Sequence, residues 1–190
     1  MRRSIPFLVV LIALVLVVPR PAIAEKRSGA AAAVQRDGSH DFDFEIGSWK
    51  THLRRLRHPL SGSSEWVEYE GTSEVRGVLN RSANIVELVV AGAAGRIKGA
   101  ALRLYEPANH RWTLNFFNVV DGQLTPPVIG EFRDGRGLFF GDDTLGGRPI
   151  KVRFVISRIT ADSYRFEQAF SADGGKTWEV NWIATDRRAQ

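Results

Sequence analysis

The sequence contains no cysteine, and this absence excludes several structures and chemistries. The chain can form no disulfide, carries no thiol nucleophile and offers no cysteine for attachment of a lipid anchor. Only four histidines occur in 190 residues, so a histidine metal site would need ligands from distant segments. The protein therefore has to fold by burying apolar surface, and its 44% of hydrophobic residues are enough for a core.

Common enzyme motifs are also absent. There is no Gly-x-Ser-x-Gly elbow, no His-Glu-x-x-His motif and no glycine-rich phosphate loop. Asp142 and Asp143 form the most prominent acidic pair, and adjacent residues of a strand point to opposite faces, so one of them should point inward. That residue could act as a general base or hold a ligand hydroxyl; the favoured hypothesis is instead that both aspartates cap the turn that leads to Gly146. The sequence identifies no catalytic residue, predicts no cofactor or metal, and leaves enzymatic activity open.

The first 24 residues have the pattern of a secretory signal peptide. Positive residues at the start precede an apolar run over residues 5–18, and small residues lead up to Ala24. The run is shorter than the roughly 20 residues that span a bilayer, and Pro19 and Pro21 follow it. We expect cleavage after Ala24, a periplasmic or secreted protein, and no stable membrane anchor after cleavage.

Residues 25–39 have no aromatic side chain and no periodicity, so they are predicted to form a flexible N-terminal segment before a domain at 40–188. Removal of residues 1–24 takes away three arginines and lowers the formal net charge from +5 to +2. A local basic cluster remains at Lys50, Arg54, Arg55 and Arg57. Without a nucleic-acid-reading motif we interpret it as a solvated strand edge and predict no nucleic-acid partner.

The clearest structural pattern lies near the C-terminus. Residues 164–170 and 178–184 alternate apolar and polar side chains on either side of a turn at Asp173, Gly174 and Gly175, which is typical of a β-hairpin with one buried face. Shorter strand patterns occur at residues 49–54, 66–69, 73–79, 85–90, 100–105, 112–118, 128–132, 137–141 and 150–156. The sequence therefore predicts an all-β protein, an antiparallel up-and-down β-barrel of about ten strands. Closure would remove the exposed strand edges of an open sheet.

Three motifs carry a resemblance to a known family. Gly47 and Trp49 resemble the glycine-x-tryptophan signature of lipocalins. The wider stretches FDFEIGSW, GDDT followed by GRPIKVRF, and FEQAFSADGGKTWEVNW are similar to an uncharacterised bacterial family of lipocalin-like, calycin-type domains of unknown function. The resemblance implies a barrel in which Trp49 closes one end and Arg187 or Arg188 covers it. Related haem-binding barrels use a histidine near the C-terminus, but the last histidine here is His110, so haem is not expected.

The hairpin also matches a motif of a different protein class. Ser171, Asp173, Gly175, Thr177 and Trp178 match the spacing of the Asp-box of sialidases. In that motif the serine and aspartate side chains bond backbone donors of the turn, and the tryptophan packs beneath it. A single copy predicts a stabilised turn rather than a glycosidase.

Polar residues on apolar faces identify candidate ligand contacts. Gln168 lies between Phe166 and Phe170, and Asn118 follows Phe116. A buried amide without a partner costs about 1 to 3 kcal/mol, so each should bond to backbone, water or a ligand. The predicted ligand-binding residues are Trp112, Phe116, Asn118, Phe154, Phe166, Gln168 and Trp182, with Val152, Ile156, Phe170 and Val180 on the same inner surface. The set Arg153, Glu167 and Asn181 is predicted to form the outer wall.

The leading functional hypothesis is an exported barrel that binds a small, largely apolar ligand in its interior. One alternative is a barrel enzyme of the isomerase or hydrolase kind that uses an inward carboxylate. Another is a structural barrel whose interior is filled by its aromatic side chains. A cavity of several hundred Å³ with convergent polar groups would favour the first two over the third.

The predicted signal peptide can be tested directly. Protein purified from its native cell envelope is expected to begin at Glu25, because signal peptidase would cut after Ala24. Intact-mass spectrometry measures this, and an envelope-derived chain that retains residues 1–24 would show that no cleavage occurs.

Overall fold

The computed structural model describes residues 37–120 and 122–190. The predicted signal peptide and residues 25–36 of the predicted N-terminal segment lie outside the described residues. Among the described residues, no helix is long and apolar enough to cross a membrane. What the structure describes is a sheet protein with two short 3₁₀ helices, Asp43–Glu45 and Pro107–Asn109.

Ten strands form a closed barrel in which each strand pairs antiparallel with its neighbours in sequence and the last pairs with the first. The strands are β1 (Gly47–Leu56), β2 (Trp66–Val78), β3 (Ala83–Gly92), β4 (Gly95–Glu106), β5 (Arg111–Asn118), β6 (Val128–Arg133), β7 (Arg136–Leu145), β8 (Arg148–Ser157), β9 (Ser163–Ser171) and β10 (Glu179–Arg188). This confirms the predicted fold class. We call the end at which β1 begins the closed end, and the opposite end, where β1 finishes, the open end.

One predicted chain break is wrong. The sequence predicts separate strands at residues 66–69 and 73–79, but β2 runs through both without interruption. Gly71 explains the imperfect alternation, because a Cβ at this position would lie 2.0 Å from the carbonyl oxygen of Val89 on β3. Only glycine allows the two backbones to approach so closely. The strand therefore continues past a position that carries no side chain.

The predicted alternation is also wrong at the start of β10. Val180 pairs with Ala169 and Trp182 pairs with Gln168, so Asn181 is the extra residue of a β-bulge. Val180 consequently lies on the face opposite Trp182, not beside it. Asn181, predicted on the outer wall, is instead buried, and its Oδ1 accepts a 2.8 Å hydrogen bond from Gln168 Nε2.

The closed end is packed with aromatic side chains. Phe42, just before the first 3₁₀ helix, lies with its ring centroid 4.9 Å from those of Trp112 and Phe132. Gly38, within the predicted N-terminal segment, donates its amide to Tyr105 and accepts from Trp112 Nε1. Such edge-to-face clusters favour a single packing arrangement.

Trp49 and Arg188 complete the closed end. The Trp49 side chain is fully buried and its Nε1 donates to the Glu45 carbonyl. The Arg188 guanidinium lies 4.1 Å from the Trp49 ring centre and donates to the carbonyls of Phe44, Ile46 and Ala161. Of the two arginines left open by the sequence, the one that covers the tryptophan is therefore Arg188.

The seam between β5 and β6 is short, because the two strands do not pair in the half of β5 that is nearer the open end. Only three residue pairs join these strands, from Trp112↔Gly130 to Leu114↔Val128. Beyond these pairs, Thr125 forms hydrogen bonds to β5. Its backbone amide donates to the Phe116 carbonyl, its hydroxyl accepts from Phe116 N, and its carbonyl accepts from Asn115 Nδ2. One threonine thus supplies the bonds that a longer β6 would have made.

The sequence suggested that the basic cluster lies on a strand edge, and the structure shows that it does not. It is carried by β1 and its end, and β1 is paired on both sides, with β2 and β10. Arg54 lies 3.5 Å from Glu68 and Arg57 lies 2.8 Å from Glu65. Exposed pairs of this kind contribute little to stability, about 0 to 1 kcal/mol.

Replacement of Arg188 by alanine should lower the free energy of unfolding by about 2 kcal/mol, because it removes the cation above Trp49 and leaves three carbonyls without their donor. Arg187→Ala is the matched control, since the Arg187 side chain is exposed on the adjacent position, and its effect should stay within about 0.5 kcal/mol. Urea denaturation measures both, and equal effects would contradict the assigned role of Arg188.

Candidate functional site

The barrel contains an internal cavity of about 300 Å³ that is open towards one end. Most of its wall is apolar and comes from β3, β4, β5, β8, β9 and β10. Typical wall residues are Leu88, Ala101, Leu114, Val152, Phe170 and Ala184. Its ionisable carboxyl and guanidinium groups are Asp143 near the open end, and Arg103 and Asp186 towards the closed end. Such an apolar pocket with few polar groups has the composition of a small-molecule site.

Five of the seven predicted ligand-binding residues line this cavity: Phe116, Phe154, Phe166, Gln168 and Trp182. The two others lie outside it. Trp112 is buried in the aromatic packing of the closed end, and the Asn118 side chain accepts a 2.8 Å hydrogen bond from Val120 N at the end of β5. Phe154, Phe166 and Gln168 share one face because side chains alternate along β8 and β9 and Phe154 pairs with Gln168 across the two strands.

Four hydroxyl and carboxyl side chains form a polar cluster at the inner end of the cavity: Thr51, Ser73, Tyr164 and Asp186. The Thr51 hydroxyl donates to Asp186 Oδ1 at 2.5 Å and lies 2.7 Å from Ser73 Oγ. The Tyr164 hydroxyl also interacts with the Asp186 carboxyl. All four residues line the cavity, and at most 5% of each is exposed. This polar cluster is the only group of convergent hydroxyls among the cavity-lining residues that the structure describes.

A buried ion pair lies next to the polar cluster. Arg103, on β4, donates to Glu45 of the first 3₁₀ helix, and both side chains are almost completely removed from solvent. The Arg103 guanidinium also lies 4.2 Å from the centre of the Phe42 ring. Burial raises the pKa of Glu45, while the positive charge of Arg103 acts in the opposite direction. The Arg103 charge thus balances that of Glu45, and its attraction to the Asp186 carboxyl lowers the pKa of Asp186 less than burial raises it.

Asp186 titrates in an unusual range. Burial raises its pKa to about 7; the negative charge of Glu45 adds to the shift, and the hydrogen bond from Thr51 opposes it. Burial also raises the pKa of the Tyr164 hydroxyl well above its usual value. Asp186 can therefore exist in either protonation state near neutral pH while it faces an apolar cavity.

The polar cluster was not found by sequence reasoning, although part of the pattern was visible. Thr51 lies between Trp49 and Leu53 on the inward face of β1, the same feature that singled out Gln168. Asp186 follows Ala184 on the inward face of β10. Their proximity depends on the pairing of the first strand with the last, which no local pattern contains.

The hairpin turn between β9 and β10 is held by side-chain bonds. Asp173 accepts from the amides of Lys176 and Thr177 and from the Thr177 hydroxyl, and these bonds hold its pKa far below the usual range. Ser171 Oγ accepts from Gly175 N. The Trp178 Nε1 donates to the Gly175 carbonyl, and its ring packs on the outer surface against Arg153 and Phe140. These residues lie outside the cavity lining.

Other candidates offer less chemistry. Asp143 points into the cavity near the open end and accepts from Thr144 N, whereas Asp142 is exposed and 2.5 Å from Lys151. Within the described residues no group of three or more histidine, aspartate or glutamate side chains could hold a metal ion. A depression of about 420 Å³ near Arg158 and Arg187 is lined mainly by charged and polar residues on the outside of the barrel. The internal cavity is thus the best candidate site.

Comparison with known proteins supports the fold. No protein-family model matches the sequence, and no curated protein is significantly similar to it. The S-type phycobiliprotein lyase from Guillardia theta is structurally similar, with a TM-score of 0.56 and 13% identity over 82% of this chain and 94% of that chain. A de novo designed fluorescence-activating β-barrel matches with a TM-score of 0.43 and 14% identity, over 81% and 99% of the two chains. At 13% identity, the likeness to the lyase shows a shared β-barrel fold and nothing beyond the fold.

The raised pKa of Asp186 predicts a pH dependence of stability. Between pH values of about 4 and 7, the folded protein retains a proton that the unfolded chain has released, so the free energy of unfolding falls as the pH rises, by up to about 1.4 kcal/mol per pH unit. Asp186→Asn removes this contribution. Urea denaturation of both proteins at several pH values in this window measures the difference, and a difference that does not change with pH would contradict the assignment.

Proposed function

We propose that the barrel binds a small, largely apolar molecule in its interior. The main observation that supports this proposal is the cavity of about 300 Å³, whose apolar walls end in a cluster of buried polar groups. This volume lies at the lower end of the range for small-molecule pockets. The same cavity counts against the hypothesis of a barrel filled by its own aromatic side chains.

The wall residues suggest how such a ligand would lie. Phe154 and Phe166 meet edge to face, with ring centroids 5.0 Å apart, and form an apolar surface along β8 and β9. Trp182 lies on the adjacent strand, opposite Gln168. An apolar body could pack on these rings, with Phe116 on the other side of the cavity. The Nε2 of Gln168 already donates to Asn181, and its Oε1 can accept a hydrogen bond from the ligand.

A second candidate function is proton-transfer catalysis on such a molecule. The specific observation in its favour is Asp186, a carboxyl with a pKa of about 7 inside an apolar cavity. A general base or acid is most effective when its pKa is close to the working pH. In this case the inward carboxylate would be Asp186, rather than either member of the Asp142 and Asp143 pair considered from the sequence.

Export belongs to the same proposal. The apolar run at residues 5–18 and the small residues before Ala24 support secretion to the periplasm or the exterior. A binding barrel in that compartment would hold its ligand away from water. The formal charge of +2 after cleavage gives it no strong preference for polyanions.

Ligand binding can be tested by titration with an apolar fluorescent dye. Binding should change the fluorescence of Trp182, because the dye would pack against its ring. Ala101→Phe should weaken binding by more than about tenfold, because Ala101 lines the cavity and a phenyl ring would occupy much of its volume. Leu104→Phe is the matched control on the outer face of the same strand, where the side chain is 41% exposed.

The outcomes are distinct. Weak binding by Ala101→Phe and unchanged binding by Leu104→Phe would support an internal site. Equal binding by both variants would place the dye on the surface and contradict the proposal. Trp182→Phe identifies the reporter, since the other tryptophans remain and only the cavity signal should disappear.

A further inference from the structure

When Asp186 is ionised, the hydrogen bonds of the polar cluster all run in one direction. Thr51 has a single hydroxyl hydrogen, which it donates to Asp186 Oδ1. Its contact of 2.7 Å with Ser73 Oγ must therefore use the Ser73 hydrogen. An ionised Asp186 can only accept, so the Tyr164 hydroxyl donates to it as well. All three hydroxyl hydrogens are directed along the cluster towards Asp186.

This arrangement leaves acceptors, and no hydroxyl donor, for a molecule in the cavity. The oxygens of Ser73 and Tyr164 keep free lone pairs, and the carboxylate of Asp186 has more lone pairs than its protein donors use. The nearest cation, Arg103, also lines the cavity, but it donates to Glu45, it lies over the Phe42 ring, and its Nε is inaccessible. The inner end of the cavity is therefore built to accept hydrogen bonds.

The charges around Asp186 also favour a hydrogen-bond donor over a carboxylate. The groups that face it are Glu45 from the 3₁₀ helix, Arg103 from β4, Tyr164 from β9 and the hydroxyls of Thr51 and Ser73. With Asp186 ionised, two carboxylates face one guanidinium. A carboxylate ligand would add another negative charge in a region of low dielectric, where repulsion is strong. A donor group would instead satisfy an acceptor, and an ammonium would also neutralise the excess charge.

We propose that the cavity selects apolar molecules with a hydrogen-bond-donating head group and discriminates against carboxylates such as fatty acids. A hydroxyl would donate its one hydrogen to Asp186 or Ser73, and an amine could donate to both. This inference rests on the proposed function and specifies its ligand class. The apolar wall then recognises the rest of the molecule without directional bonds, while the polar cluster determines its orientation.

A matched series of ten-carbon probes tests the selectivity: decan-1-ol, decan-1-amine and decanoate, each titrated calorimetrically at pH 8. At this pH Asp186 is mostly ionised, since its pKa is about 7, and the amine is protonated. The alcohol or the amine should bind at least about tenfold more tightly than decanoate. The relative affinities of alcohol and amine identify which donor is preferred.

Three substitutions test which residues cause the selectivity. Asp186→Asn should reduce the preference for donors over decanoate to within about threefold, because it removes the charge and adds an amide donor. Ser73→Ala, a smaller change, should weaken decan-1-ol and leave decanoate unchanged. Asp142→Asn removes an exposed carboxylate of β7 that lies outside the cavity lining and should preserve the full preference. For decan-1-amine, affinity should also rise from pH 6 to pH 8 in the wild type and remain flat in Asp186→Asn.

Tight decanoate binding, or a donor preference that survives in Asp186→Asn, would overturn this inference. If the apolar dye enters the cavity but the three probes bind equally, the proposed function stands and only the ligand class is wrong. If neither the dye nor any probe binds, the proposed function fails and the inference fails with it.

Discussion

The pairing of β1 with β10 is the interaction on which the rest of the structure depends. It closes the sheet, and its register sets Thr51 opposite Asp186 and Trp49 opposite Arg188. The Thr51 to Asp186 hydrogen bond spans 135 residues of sequence, so it forms only when the ring of strands is complete. The cover of the closed end and the polar end of the cavity are therefore consequences of one strand pairing.

The interior next to this pairing also contains buried groups that are unfavourable for stability. Glu45 and Asp186 are both buried, and one guanidinium serves the two of them. Replacing a buried ion pair by packed apolar residues is often neutral or stabilising, so such a group is weak evidence of selection for stability. The aromatic packing at the closed end and the bonds of Arg188 offset the cost of this polar region. A protein selected only for a filled barrel would have no physical need of Asp186 at this position.

The sequence was sufficient for the architecture because alternation is a local property. The inward set Phe154, Phe166 and Gln168 could be read from residues two apart, and the structure places all three in the cavity wall. The bulge at Asn181 could not be predicted, because one inserted residue leaves the composition of a strand unchanged while it reverses the facing of Val180. The continuity of β2 through Gly71 depends on how closely β3 approaches it, which is a property of the folded pair.

The candidate site was harder to predict for a different reason. The apolar wall follows from single strands, but the polar cluster combines residues of β1, β2, β9 and β10. Thr51 and Asp186 were visible as polar residues on inward faces, yet an inward polar residue indicates only that it needs a partner. Which partner it finds is decided by closure. The partner of Arg103 could not be predicted either, because its ion pair depends on the 3₁₀ helix that precedes β1.

The short seam between β5 and β6 makes the ring of strands uneven in its local stability. All other neighbouring strands are joined over longer registers, so backbone amides at this seam have the fewest bonds to break before they exchange with solvent. Thr125 bridges the gap with bonds to Asn115 and Phe116, and residue Phe116 itself lines the cavity. Local opening of the seam would expose the interior without disturbing the pairing of β1 with β10. The polar cluster would stay assembled during such an opening, because none of its four residues lies on β5 or β6.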